Sequence, residues 1–156
     1  ISDIVHKIVI LDFQGNIKEI EKAQCNFFYR GLDIGLDRYV ILTAYLLMQQ
    51  DNKDNIIAKI KEVYDKRKKT QPTEYLTAGC IFKNSSCSPA GYLIEKSGAK
   101  GLIIGDAQVS EKHANFIINK GNASSKDILL LIEAIEKKVK KEFGITLERE
   151  IEFIGF

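Results

Sequence analysis

The sequence predicts an α+β fold, and three observations carry that reading. β-rich runs fill residues 5–20 and return as a long apolar stretch at 38–48. Helical periodicity takes over from Asn52 and again from Ser124. Between those two helices lie short apolar runs separated by Gly, Ala, Ser and Asn. A β-rich segment that gives way to a helix-and-strand unit near Asp51 makes the class α+β, with the boundary at that change of period.

Taken in order, Val5 to Asp12 and Asn16 to Ile20 are strand-like runs joined across Phe13-Gln14-Gly15, a spacing and glycine content that suit a hairpin. Cys25 to Arg30 is aromatic and polar. Gly31, Asp33, Gly35 and Asp37 then interrupt the pattern, and Arg38 to Met48 reads as a well-buried strand. From Asn52 a helix carries Ile56, Ile57, Ile60, Val63 and Tyr64 on one face. It must end before Gln71-Pro72, because the residue ahead of proline is pushed out of the α region. The basic cluster Asp65 to Lys69 reads as its solvated last turn.

Ser88-Pro89 ahead of Ala90 to Ser97 and Gly98 has the form of a short helix, with a capping serine, a first-turn proline and a glycine stop. Leu102 to Ile104 and Asn115 to Asn119 are short strand candidates. Ser124 and Asp127 offer a capping arrangement for a long helix with Ile128, Leu131, Ile132, Ile135, Val139 and Phe143 on its buried stripe, closed by Gly144. Ile145 to Ile154 alternates apolar and charged residues as a final strand would.

Composition narrows the function classes. Apolar residues make up 45% and charged residues 28% of 156, the balance of a soluble globular protein. Twenty-three Lys and Arg against 21 Asp and Glu leave a net charge of +2, too even for a nucleic-acid surface. The longest apolar runs fall short of the roughly 18 residues of a membrane span. Three cysteines without metal-ligand pairing fit neither a disulfide framework nor a metal site and suit the cytoplasm. The chain opens on Ile1 directly into a strand pattern, which reads as a fragment or a processed product.

The polar residues set among small ones between Thr77 and Ser125 point to a pocket lining. Cys80 is either a buried structural cysteine or a thiol that donates a proton or acts as nucleophile near its reference pKa of about 8.5. His113 invites pairing with it, yet a lone histidine beside an apolar strand reads as structural. Arg30, after three aromatic residues, can hold a carboxylate in a bidentate contact or lie on the surface. Glu148, Glu150 and Glu152 alternate and so share one face.

The run GCIFKN at 79–84 and AGYLIEKSGAKGLIIGDAQVSEKHANFIINKGNAS at 90–124 closely resemble the C-terminal domain of UDP-N-acetylenolpyruvoylglucosamine reductases. Gln71-Pro72, the closing LEREIEFIG at 147–155 and the Cys25 to Arg30 segment occupy the order that family would give. The resemblance implies residues 1–50 as the trailing part of an FAD-binding domain and 51–156 as the substrate-binding domain. It also implies reduction of a UDP-sugar enolpyruvyl ether to UDP-N-acetylmuramate, for peptidoglycan, with NADPH and FAD. Carried over by position, Cys80 stands for the family's proton-donating serine, Arg30 for the residue that grips the substrate carboxylate, and Glu150 for the glutamate that assists the enolate step. Tyr29, Lys83, Asn84 and Gln108 are implied substrate contacts, with Lys83 and Asn84 on the diphosphate side.

Gly31-Leu32-Asp33 departs from the usual serine-containing turn, Ser85 and Arg149 replace common prolines, and Glu152 stands where a basic residue is frequent. No run of glycines offers the backbone N–H cradle that an FAD diphosphate needs, so the cofactor-binding residues are unknown and the fragment is expected to be inactive alone. A monomer is expected, without nucleic-acid or membrane partners. The alternatives are a non-catalytic nucleotide-sugar binding module and a Cys-His hydrolase, for which no orienting third group can be assigned.

Overall fold

The computed structural model describes residues 1–155. They form two compact units, Ile1–Asn55 and a second that begins at Ile56. In the first, β1 (Val5–Asp12) pairs antiparallel with β2 (Ile17–Glu21) on one side and β5 (Tyr39–Leu46) on the other. A smaller hairpin joins β3 (Asn26–Phe28) to β4 (Gly31–Asp33). Its core is Val5, Ile8 and Ile10, with Ile20, Phe27, Leu32 and Tyr39 packed against them.

The Phe13-Gln14-Gly15 hairpin forms as expected, and its chemistry is visible. The buried Asp12 carboxylate accepts from the backbone amides of Gln14 and Asn16 and from Lys18 Nζ at 2.8 Å. Gly15 takes φ +85°, which a residue with a Cβ adopts only under strain.

The reading of 38–48 as a well-buried strand is corrected. The strand exists as β5, but Val40, Ile41, Leu42, Tyr45 and Leu46 are all exposed. An unbroken apolar run implies cover on both faces. Here β5 is an edge strand paired only to β1; Tyr39 packs on the core and Lys7 Nζ lies over the Tyr45 ring at 4.8 Å, while Val40, Ile41, Leu42 and Leu46 stay open.

The helix α1 (Lys53–Thr70), most of which lies in the second unit, ends just before Gln71-Pro72, with no buried residue along its length. An antiparallel sheet follows in the order β6-β9-β8-β7, from β6 (Leu76–Cys80), β7 (Ile103–Ile104), β8 (Ala107–Val109) and β9 (Phe116–Asn119). The helices α2 (Ala90–Lys96) and α3 (Ser125–Phe143) complete it. Ile81, Phe82, Leu93, Ile94, Val109, Ile117, Leu131, Ile132, Ile135 and Val139 form one contiguous core. The stripe of α3 explains why the helix sits there: Leu131, Ile132, Ile135 and Val139 recur at helical spacing and are all buried. Its ends match the sequence signals, with a reciprocal Ser124–Asp127 capping box and Gly144 at φ +69°.

Two expectations fail. Ser88 does not cap α2, whose N-cap residue is Pro89; the Ala90 amide instead donates to Asn84 Oδ1 at 3.0 Å. Residues 145–154 form no strand. Only Arg149 makes a bridge, to Phe82, because this tail meets two backbone hydrogen bonds along its length instead of a continuous ladder. No helix among the described residues is long and apolar enough to cross a membrane.

Candidate functional site

Cys80 is placed by a bulge. Along β6 and β9 the pairing runs Thr77 with Ile118, then Cys80 with Phe116, so three steps on β6 oppose two on β9. The extra residue falls at Ala78-Gly79, where Gly79 takes φ +87°. Such a bulge bends its strand and re-aims the next side chain. The small-residue turn in the sequence is therefore a device that sets where the thiol points.

The strip after Cys80 is held by one buried side chain. Asn115, 3% exposed, accepts the Phe82 amide on Oδ1 at 3.0 Å and donates from Nδ2 to the Phe82 carbonyl at 2.8 Å, while its own carbonyl accepts from the Ile81 amide at 2.9 Å. A primary amide presents a donor and an acceptor side by side, so it pairs with a peptide as a second strand would. The Asn115 amide in turn donates to His113 Nδ1 at 3.2 Å, which leaves the imidazole proton on Nε2. Burial pushes the His113 pKa below its usual value, and its ring rests 4.8 Å from that of Phe116. These contacts fit a structural role for His113.

Cys80 and Asn84 open onto one pocket of about 300 Å³, walled also by Tyr92, Glu95, Lys112 and His113. Asn84 contributes its Oδ1 to the α2 amide, so the loop between Lys83 and α2 is folded back toward the same wall. Lys83 Nζ pairs with Glu148 Oε1 at 2.5 Å, and its amide donates to the Glu148 carbonyl. The Glu150 amide donates to the Ile81 carbonyl at 2.8 Å, and the residue is half-buried. Cys80, Lys83, Asn84 and Glu150 thus come from two neighbouring backbone segments. Gln108 lies on β8, with β9 between it and β6, and its Nε2 donates weakly to the Gly101 carbonyl at 3.4 Å.

Residue-by-residue reading of the sequence missed Asn115 as a clamp and Tyr92, Glu95 and Lys112 as walls. Only the mixture of polar and small residues in that stretch marked them, and a buried asparagine looks the same in sequence as an exposed one.

Tyr29 and Arg30 belong to the first unit, where they form the turn between β3 and β4. Arg30 takes φ +60°, the only positive value at a non-glycine among the described residues. A side chain there costs on the order of 1 kcal/mol, and backbone strain of that kind clusters at ligand sites. The guanidinium lies over the Tyr29 ring at 5.5 Å, an arrangement that holds a cation at an exposed tip. Gly31 has its own reason: the Phe28 ring covers it so closely that an added Cβ would stand 2.0 Å from Cε2.

Seven of the eleven glycines have amides already engaged and so do not fit an FAD diphosphate. A cradle needs convergent, unspent N–H groups. Here the Gly15, Gly98, Gly101 and Gly144 amides donate to backbone carbonyls, and those of Gly35, Gly79 and Gly121 to side-chain oxygens. They are used by turns and caps, and no flavin step is derived from them. Among the described residues no group of His, Cys, Asp and Glu stands arranged to hold a metal ion.

Residues 71–154 match the family described as UDP-N-acetylenolpyruvoylglucosamine reductase, C-terminal domain. A UDP-N-acetylenolpyruvoylglucosamine reductase of Clostridium tetani is 43% identical over 155 residues, covering 99% of this chain and 50% of the relative. One of Caldanaerobacter subterraneus is 41% identical over 154 residues, 99% of this chain and 51% of the relative. The crystal structure of the reductase from Thermus caldophilus superposes with a TM-score of 0.78 at 33% identity, over 97% of this chain and 53% of that one. The chain spans about half the length of the curated relatives it matches. A family match over more than half of the residues, a shared α+β fold and the Cys80 strip in its matching motif together make this chain a member of the UDP-N-acetylenolpyruvoylglucosamine reductase family, carrying its C-terminal domain.

Proposed function

We propose that this chain is the substrate-side portion of an NADPH- and FAD-dependent UDP-N-acetylenolpyruvoylglucosamine reductase. In this reading residues 1–50 are the trailing strands of the FAD-binding domain and residues 51–156 the substrate-binding domain. The product is UDP-N-acetylmuramate, a cytoplasmic precursor of peptidoglycan, and the protein acts as a monomer. The observation that carries the reading is the fastening of the Glu148–Glu150 backbone to the strip that follows Cys80, beside a pocket of about 300 Å³.

NADPH and FAD would supply the hydride when bound. What falls to this chain is the proton and the charge. The Cys80 Sγ–H bond breaks as a C–H bond forms at the alkene carbon bearing the carboxylate; the electron pair stays on sulfur, and water reprotonates the thiolate. Arg30 grips that carboxylate and bears the enolate-like charge that develops on it. Glu150 stands beside the same charge and assists the enolate step. Tyr29, Lys83, Asn84 and Gln108 contact the UDP-sugar, Lys83 and Asn84 toward the diphosphate.

The test joins this chain to the N-terminal half of the Clostridium tetani relative and follows substrate-dependent NADPH oxidation. Cys80→Ala lowers kcat by about 10²-fold or more, the usual worth of a positioned acid, whereas Cys80→Ser stays within about tenfold of the parent. An unchanged rate in Cys80→Ala overturns the proton-donor role. UDP-sugar binding without any dependence of turnover on Cys80, Arg30 or Glu150 marks the chain as a nucleotide-sugar binding module instead.

A further inference from the structure

The tail that carries Glu150 is short of backbone support. Between Gly144 and Gly155 it makes one isolated bridge, Arg149 with Phe82, flanked by the Lys83-to-Glu148 and Glu150-to-Ile81 hydrogen bonds. Two hydrogen bonds do not hold an extended segment in register against fraying. Side chains must do so, and they alternate. Leu147 is buried in the core, and Arg149, on the same side of the extended chain, reaches Glu136 on α3. Glu148 and Glu150 lie on the other side, where Glu148 takes Lys83 Nζ.

The two charge clamps are unequal. Lys83–Glu148 is a single-point contact, and the Glu148 side chain is 72% exposed. Arg149 meets Glu136 with both prongs, Nε to Oε1 at 2.6 Å and Nη2 to Oε2 at 2.8 Å, at side-chain exposures of 33% and 25%. Its guanidinium also lies over the Phe153 ring at 5.1 Å, so its contacts bracket Glu150 from the residue before it to the third residue after it. Exposed single-point pairs contribute little, while a planar two-point pair fixes orientation as well as distance. The Glu136 carboxylate holds the Arg149 guanidinium pKa above its already high value.

We infer that Arg149 is a positioning residue: its two-point pair with Glu136 of α3 fixes the segment that presents Glu150 beside the Cys80 strip. This rests on the role proposed above for Glu150. The Lys83–Glu148 contact is secondary to it.

Amide exchange on the 156-residue chain reads the clamp directly. Arg149→Met, which keeps the stem over Phe153, speeds exchange of the Glu150 and Lys83 amides by about tenfold and leaves those of β8 and β9 unchanged. In the joined protein the same variant lowers kcat by about tenfold with KM within about twofold, since it loosens the residue that assists the enolate step without removing a substrate contact. Arg149→Lys restores part of the loss, and the swapped pair Arg149→Glu with Glu136→Arg restores more. Unchanged exchange at Glu150 and Lys83 in Arg149→Met overturns the inference. So does a parental kcat in that variant while Glu150→Gln is inactive, an outcome that leaves the proposed function standing. A fully active Glu150→Gln removes the role given to Glu150, and this inference with it.

Discussion

Asn115 satisfies a peptide that would otherwise be buried without partners, and its removal has a defined cost. In Asn115→Ala the Phe82 N–H and C=O lose both contacts in a site closed to water. The expected loss of stability is about 2–4 kcal/mol, read by urea denaturation, because each unsatisfied buried group costs about 1–3 kcal/mol. A loss under about 0.5 kcal/mol would mean that the strip stays in place by packing alone. His113 sets a pH response. Burial lowers its folded pKa, so the unfolded chain takes up a proton more readily than the native one. Its effect is absent above the unfolded value of about 6.5 and destabilises as pH falls from there through the folded value. Urea midpoints between pH 7 and 5 therefore fall less steeply in His113→Gln than in the parent. Asp12 moves stability with pH in the same direction from a different cause: Lys18 and the Asn16 amide hold its carboxyl well below the usual range. That stabilisation is present above the unfolded value and is lost as pH drops through the folded one, and Asp12→Asn abolishes it.

Among the elements, those with both a pattern and an end signal were the legible ones. For α3 the capping box, Gly144 and the stripe from Leu131 to Val139 agree, while Phe143 at the end of the expected stripe is exposed. Ser124→Ala costs about 1 kcal/mol through the lost cap. Gly144→Ala costs a similar amount, about 1–2 kcal/mol, by placing a Cβ at positive φ. Thermal unfolding of the two variants checks both, and an unshifted midpoint in Gly144→Ala would show that the chain leaves the helix by another path. The tail at 145–154 and β5 misled for a different reason. Alternation specifies which side chains share a face, but pairing needs a partner backbone, and the tail finds one for only two hydrogen bonds. A continuous apolar run specifies an affinity for cover, yet most of β5 stays open in its own unit. The α2 cap shows the limit of local signals: Ser88 stood in the right place, but Asn84, six residues before Ala90, reached the amide.

For the whole molecule, burial divides the chain into regions of unequal resistance to opening. The cluster around Leu131, Ile132, Ile135 and Val109 is sealed, whereas Ile56, Ile57, Ile60, Val63 and Tyr64 on α1 are all exposed. A helix of 18 residues with nothing buried is marginal in water. Amide exchange is therefore expected to be slowest in β8, β9 and α3 and fast along α1, and equal protection in α1 would show a cover that these residues do not supply. The spent glycine amides lead to a second expectation. Titration of the 156-residue chain with FAD shows no stoichiometric binding by flavin fluorescence, and tight one-to-one binding would overturn the separation of flavin and substrate sides.

By itself the sequence determined the class of fold, the two long helices with their boundaries, the first hairpin and the motif that identifies the family. All of these depend on period, capping and turn chemistry, which act over a few residues, or on the order of residues along the chain. Tertiary structure alone decided that Asn115 clamps the Cys80 strip, that Asn84 caps α2 and that Arg149 ties the Glu150 segment to α3. Each of those contacts joins positions separated in sequence, and no local preference records which distant partner a donor will meet. Arg30 stands between the two cases: the break in pattern that follows it was marked by the chain, but the turn at Tyr29-Arg30 and its left-handed backbone became visible only in the fold.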